Sequence, residues 1–130
     1  RGLARDYAGV SASVGVHPGT TEGEDPTVDA LLALADDPLV VAIGETGLDY
    51  HYNEGDLEWQ RQRFRRHIAA SRDCGKPLII HTREAQADTL AIMTAEGARD
   101  AGGVMHCFTE DWEMAQAALD LGFYVSMSGI

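Results

Sequence analysis

Cysteine is scarce in this chain: two in 130 residues, Cys74 and Cys107. Their spacing forms neither a C-x-x-C pair nor a zinc ribbon, which removes those metal and redox motifs. Buried thiols in a reducing compartment, the cytoplasm, are the plain expectation. Basic residues are few, 10 against 21 acidic, for a formal charge of −11, so composition argues against a fully basic nucleic-acid groove. The deficit is concentrated in residues 1–60, which hold 12 acidic and 2 basic residues; residues 61–130 are nearly balanced at 9 and 8. Long apolar runs are missing. A run such as Leu39 to Ile43 is far too short to cross a bilayer, so no membrane segment is expected. Arg1 to Tyr7 has none of the make-up of a signal peptide, and the first residue is Arg1, not Met, so residues are expected upstream. No Gly-rich phosphate loop opens any helical segment.

What is present is a rhythm. Apolar runs at Ala12–Val16, Leu39–Ile43, Pro77–Ile80, Gly103–Met105 and Phe123–Ser126 are apolar on both faces, as buried parallel strands are. Helical patterns fill the gaps: Thr27 to Ala35, Leu57 to Asp73 with Leu57, Phe64 and Ile68 on one stripe, Ala85 to Glu96, and Trp112 to Leu121. Gly75, Gly97 and Gly122 follow three of them, and Pro38 the other, as helix stops do. The order β, α, β, α, β, α, β, α, β predicts parallel βαβ units in one α/β domain. Five such strands suit a doubly wound sheet or part of a (β/α)8 barrel. The first would be convincing only with a Gly-rich phosphate loop, and a whole barrel needs about 250 residues.

The predicted strands run into chemistry. His17, Glu45, His81 and His106 each follow one of them. In a parallel α/β fold all C-terminal strand ends share one face, so these four side chains are expected to converge. Imidazole and carboxylate are ligands for Zn, Mn, Fe and related ions, and a carboxylate can bridge two of them. The chemistry implied is metal-assisted hydrolysis. The other two histidines, His51 and His67, are expected at the surface. Arg61, Arg63, Arg65 and Arg66 are read as a solvated helix face paired with Glu54, Asp56 and Glu58.

The segments Gly44-Glu-Thr-Gly-Leu-Asp-Tyr50, Ile79-Ile-His-Thr-Arg83, His106-Cys-Phe108 and Val14-Gly-Val-His-Pro18 resemble the TatD-type metal-dependent deoxyribonucleases, in order and over nearly the whole chain. The resemblance implies an amidohydrolase-like (β/α)8 barrel that cleaves phosphodiester bonds in DNA with two divalent metals. It makes Glu45 the carboxylate that contacts both ions, and His81 and His106 ligands of the second. His17 becomes a substrate-facing pocket residue, Arg83 a phosphate contact, and Asp49 and Tyr50 residues that orient the ligands. Two family features are missing: the His-x-His pair of the first strand and a late Asp that follows a later strand. Gly19 also stands where the family often has a polar residue or His. By its motifs the chain is expected to be a partial TIM-type barrel, roughly strands two to six, forming a single incomplete domain over 1–130.

The expected function is then a metal-dependent hydrolase of phosphodiesters, a DNA exonuclease in the intact protein. Its cofactors would be two divalent ions (Zn, Mg, Mn or similar), one of them expected to be lost from a chain of this length. Its partners would be DNA or another phosphodiester. Two alternatives stand beside it: hydrolysis of another ester or amide, and a non-catalytic half-barrel that self-associates through its open sheet edges.

Overall fold

The β-rich runs and helical patterns alternate in space as they do along the chain. The structure, a computed structural model, describes residues 12–16, 26–50, 56–105 and 112–125. Among these, five strands form one sheet: β1 (Ala12–Val14), β2 (Val40–Asp49), β3 (Leu78–Arg83), β4 (Gly103–Met105) and β5 (Phe123–Val125). Every neighbouring pair is parallel, and the spatial order is β1-β2-β3-β4-β5. Each strand thus lies beside the next one in sequence. That is barrel-type winding; a doubly wound sheet reverses direction at a switch point.

Among the described residues, four helices make the crossovers: α1 (Val28–Ala35), α2 (Glu58–Cys74), α3 (Gln86–Ala95) and α4 (Trp112–Asp120). The starting signal of α1 is Thr27, whose Oγ1 accepts the Ala30 N–H at 3.1 Å, with Asp29 in the first turn, where negative charge favours the helix N-terminus. α2 ends at Gly75, which adopts the left-handed conformation (φ 72°) and donates its N–H to the Ser71 carbonyl. A residue with a Cβ enters that region only at a cost.

The core lies between the helices and one face of the sheet. Ile43, Leu48, Leu78, Ile80, Met105 and Phe123 pack there against Phe64, Ile68, Ile92, Met93 and Met114. Phe64 is fully buried, which is worth about 1.5–3 kcal/mol for a side chain of its size. The other face carries a registered row: Gly44 pairs with Ile79, Ile79 with Val104, and Val104 with Tyr124. Tyr124 is 77% exposed and Val41 is 50% exposed. Val41, Ile79, Val104 and Tyr124 line an open apolar groove, in the position of a barrel interior.

Two strands are longer than their apolar runs. β2 continues through Gly44-Glu-Thr-Gly-Leu-Asp49, and β3 through His81-Thr-Arg83. Glu45 and His81 therefore lie within strands and do not follow them. Gly, Glu and Asp have low strand propensity and hide such an extension; the ladder with the neighbouring strand holds it in place.

The expectation of a surface His67 is overturned. His67 is fully buried, because it sits three residues past Phe64 on the face of α2 that meets the sheet. Its Nε2 accepts the Val16 N–H at 2.9 Å. Its Nδ1 therefore carries the proton and donates to the Arg63 carbonyl at 2.7 Å, one defined tautomer. Arg63 also departs from the solvated face: it is only 3% exposed, with its guanidinium 4.9 Å from the centre of the Trp59 ring, a cation–π distance. Arg61 pairs with Asp56 and Glu58, and Arg65 with Glu58, as expected. His51 and Glu54 lie outside the described residues.

Candidate metal centre

β2 and β3 bring three of the expected residues together. In β3, burial alternates: Leu78, Ile80 and Thr82 face the core, while Ile79, His81 and Arg83 face the other side. His81 and Arg83 thus share a face by strand alternation alone. In β2, the pairing slips between Gly44 and Thr46, so Glu45 is an extra residue opposite β3. Such bulges re-aim side chains and recur beside active sites. The Gly44–Glu45 peptide bond is cis.

The Glu45 Oε1 atom lies 3.9 Å from His81 Nδ1, with side chains 25% and 15% exposed. On the other side of the ring, Asp49 Oδ2 lies 2.9 Å from His81 Nε2. Asp49 is buried. A carboxylate only accepts, so in the neutral ring Nε2 carries the proton and Nδ1 keeps its lone pair on the side of Glu45.

The donor set suits a divalent ion. Glu45 and His81 offer one carboxylate and one imidazole nitrogen. Their 3.9 Å separation exceeds a hydrogen bond, yet falls within the roughly 4 Å that two donors can span at about 2.0–2.2 Å from one ion. A carboxylate behind a ligating imidazole is the usual outer partner of a metal-bound His. No group of three or more His, Cys, Asp or Glu side chains is arranged to hold a metal ion among the described residues. His17 and His106, the other two members of the expected set, lie outside the described residues, as does Cys107.

Tyr50 is tied elsewhere. Its hydroxyl donates to Asp88 Oδ2 and accepts from Arg61 Nη1, each at 2.7 Å. Its N–H donates to the Arg83 carbonyl at 3.0 Å. Burial, then the Asp88 carboxylate, push the phenol above its ordinary pKa, against the opposing pull of Arg61. Hydrogen bonds from Arg61 and Arg65 hold the Glu58 carboxyl below its ordinary range. The same network raises the already high pKa of Arg61, through Tyr50 first and Glu58 second. Tyr50 thereby fastens the exit of β2 to α2 and α3.

Gln60 and His67 were not singled out among the candidate site residues of the sequence. Both are fully buried on α2, and both bond the backbone at a strand exit: Gln60 at Asp49, His67 at Val16. A signal for them existed. They stand four residues before and three after Phe64, where the helical period calls for apolar residues. Thr46 Oγ1 is buried with no hydrogen-bond partner among the described residues.

Comparison with known proteins places these features in a family. The family model for TatD related DNases matches residues 1–130. An uncharacterized metal-dependent hydrolase of Escherichia coli (strain K12), YcfH, is 49% identical over 130 residues, covering 100% of this chain and 49% of the relative. The 3'-5' ssDNA/RNA exonuclease TatD of Citrobacter koseri is 36% identical over 128 residues, covering 98% of this chain and 49% of its own length. Among solved structures, the TatD homologue YjjV of Escherichia coli K12 superposes with a TM-score of 0.84 at 25% identity, over 95% of this chain and 49% of that one. A TatD family hydrolase of Entamoeba histolytica gives 0.73 at 29% identity, over 90% and 41%. The chain spans about half the length of the curated relatives it matches. Its parallel sheet, wound in sequence order, corresponds to part of their barrel. The chain belongs to the TatD related DNase family.

Proposed function

We propose that the protein is a metal-dependent hydrolase that cleaves phosphodiester bonds, acting on DNA as an exonuclease. The observation that carries this reading is the pairing of Glu45 with His81 at adjacent parallel strands, with Asp49 behind the imidazole, in a chain of this family. The exonuclease part draws on the name of the Citrobacter koseri relative. Other relatives bear only the name of metal-dependent hydrolase.

Glu45 and His81 would hold the ion, with His106 as a further imidazole and Glu45 shared between two ions. When bound, such ions polarise a phosphate oxygen and acidify a water. The chain's own residues orient and bind. Asp49 fixes the ring of His81 in one tautomer. Arg83, on the same strand face, would offer a guanidinium to a phosphate, and His17 would serve as a substrate-binding residue. A net charge of −11 disfavours a long backbone-tracking groove and suits an enzyme that grips only a strand end.

The test is Glu45→Ala in the full-length protein, assayed on end-labelled single-stranded DNA with and without chelator. Wild type is expected to degrade the strand from one end and to stop when the metal is removed. The variant should lose more than the roughly 10–100-fold that loss of an outer partner causes. Full activity in the variant would overturn the assignment. Chelator-sensitive cleavage of other esters or amides, with DNA left intact, would keep the metal chemistry and replace the substrate.

A further inference from the structure

Among the described residues, the upper half of β2 pairs with a strand on one side only. Its described pairing with β1 ends at Val14 opposite Ile43, whereas pairing with β3 continues to Asp49 opposite Arg83. Backbone groups beyond Ile43 on the β1 side must find partners elsewhere or stay unsatisfied.

At Asp49 the partner is a side chain. The Asp49 N–H donates to Gln60 Oε1 at 2.7 Å, and Gln60 Nε2 donates to the Asp49 carbonyl at 3.1 Å. One amide thus replaces both bonds that a neighbouring strand would make. Gln60 is fully buried in the first turns of α2, so no water competes for these bonds. On the β3 side, the Tyr50 N–H donates to the Arg83 carbonyl. The peptide around Asp49 is held from both edges, which fixes the direction of its side chain toward His81 Nε2 at 2.9 Å.

We propose that Gln60 is a positioning residue for His81, acting through the backbone of Asp49. The inference rests on the reading of His81 as a metal ligand, and it assigns to α2 the task of aiming that ligand. A glutamine suits the task because it is both donor and acceptor at one planar group. Gln60→Met keeps the approximate length and loses both bonds. Gln60→Glu keeps an acceptor for the Asp49 N–H and, when ionised, loses the donor.

The experiment uses the full-length protein with 15N-labelled histidine. Two readouts are taken: Mn2+ affinity by calorimetry, and the His81 ring 15N shifts of the metal-free protein at mildly alkaline pH. In wild type, His81 should appear as one tautomer, protonated at Nε2. In Gln60→Met that tautomer should give way to a mixture, and Mn2+ affinity should fall about 10–100-fold while circular dichroism remains native. Gln60→Glu should fall between the two. A folded Gln60→Met with wild-type His81 shifts and Mn2+ affinity within twofold of wild type would overturn the proposal. If Gln60→Met does not fold, Gln60→Glu decides: unchanged shifts and affinity overturn it, a shifted tautomer with weakened affinity supports it. A wild-type protein that takes up no Mn2+ would overturn the metal reading instead, and the ring shifts alone would still decide whether Gln60 governs His81.

Discussion

Gly47→Ala puts the geometry around His81 under direct test. Gly47 pairs with His81 across β2 and β3. A Cβ on Gly47 would stand 2.1 Å from the His81 carbonyl oxygen, whereas real Cβ contacts essentially never fall below 3.0 Å. The obstructing atom is backbone, so relief requires the strands to part by about 0.9 Å, the difference between those two distances. A ladder hydrogen bond near 2.9 Å does not survive that opening. Gly47 also has φ +124°, which costs a residue with a side chain about 1–3 kcal/mol. Loss of one or two ladder bonds adds about 0.5–1.5 kcal/mol each. The expected destabilisation is about 1.5–6 kcal/mol, a large share of the roughly 5–15 kcal/mol that holds a domain folded. Urea unfolding reads it as a lowered midpoint at constant slope. Gly75→Ala is the matched control. Its φ is +72° and nothing lies within 4 Å of a Cβ there, so only the left-handed backbone cost of about 1–2 kcal/mol applies. If Gly47→Ala proves no worse than Gly75→Ala, the close approach of β2 to β3 is not what requires glycine, and the reasoning fails.

Three further perturbations address neighbouring features. Thr46→Val removes the buried hydroxyl that lacks a partner among the described residues and should raise stability by about 1 kcal/mol, read from the urea midpoint; a clear loss would mean the hydroxyl is bonded. His67→Leu strands the Val16 N–H and should cost about 1–3 kcal/mol, with the Val16 amide losing protection from hydrogen exchange; protection at the wild-type level would refute the bond. For Tyr50, whose pKa is raised in the fold above its ordinary 10.0, the folded state favours the protonated phenol. Its contribution to stability is complete below the unfolded pKa and disappears as pH rises through the folded one, so Tyr50→Phe should flatten the alkaline fall of the urea midpoint. An alkaline limb identical to wild type would contradict this.

The strand–helix alternation was legible because parallel strands are buried on both faces, and their apolar runs stand out against polar helices. All five runs became strands, within a residue or two at the start of each. The C-terminal limits of β2 and β3 were not legible. Beyond Ile43, the residues Gly44, Glu45, Thr46 and Gly47 carry no apolar signal, and only pairing with β3 makes them a strand. Glu45 and His81 stand out in the sequence because they are chemically unusual at the ends of apolar runs, whereas Asp49 is marked only by the family resemblance of its segment. The expectation of a surface His67 rests on residue type alone and ignores its position on the helix. Three residues past Phe64 on a helix, a histidine belongs to the buried stripe, and burial is affordable when both ring nitrogens have partners. Its acceptor role toward Val16, 51 residues away, is tertiary, and no local pattern reports it.

The bulge at Glu45 explains how one strand serves both core and site. Paired residues in a parallel ladder point to the same face. Ile43 lies opposite Leu78 and Gly44 opposite Ile79, but beyond the extra residue Thr46 lies opposite Ile80, Gly47 opposite His81 and Asp49 opposite Arg83. Strict alternation without the extra residue would turn Glu45 toward the core and reverse every later position, because a slip of one residue exchanges the faces of a strand. Leu48 would then leave the core, where it is fully buried, and Asp49 would turn away from His81. With the bulge, Leu48 joins Ile43 among the core residues, and Asp49 reaches His81 Nε2. Glu45 is released from the ladder with its carboxylate beside the same ring. One added residue thus phases an apolar half-strand to a chemical one, which is why the site begins where the apolar run ends.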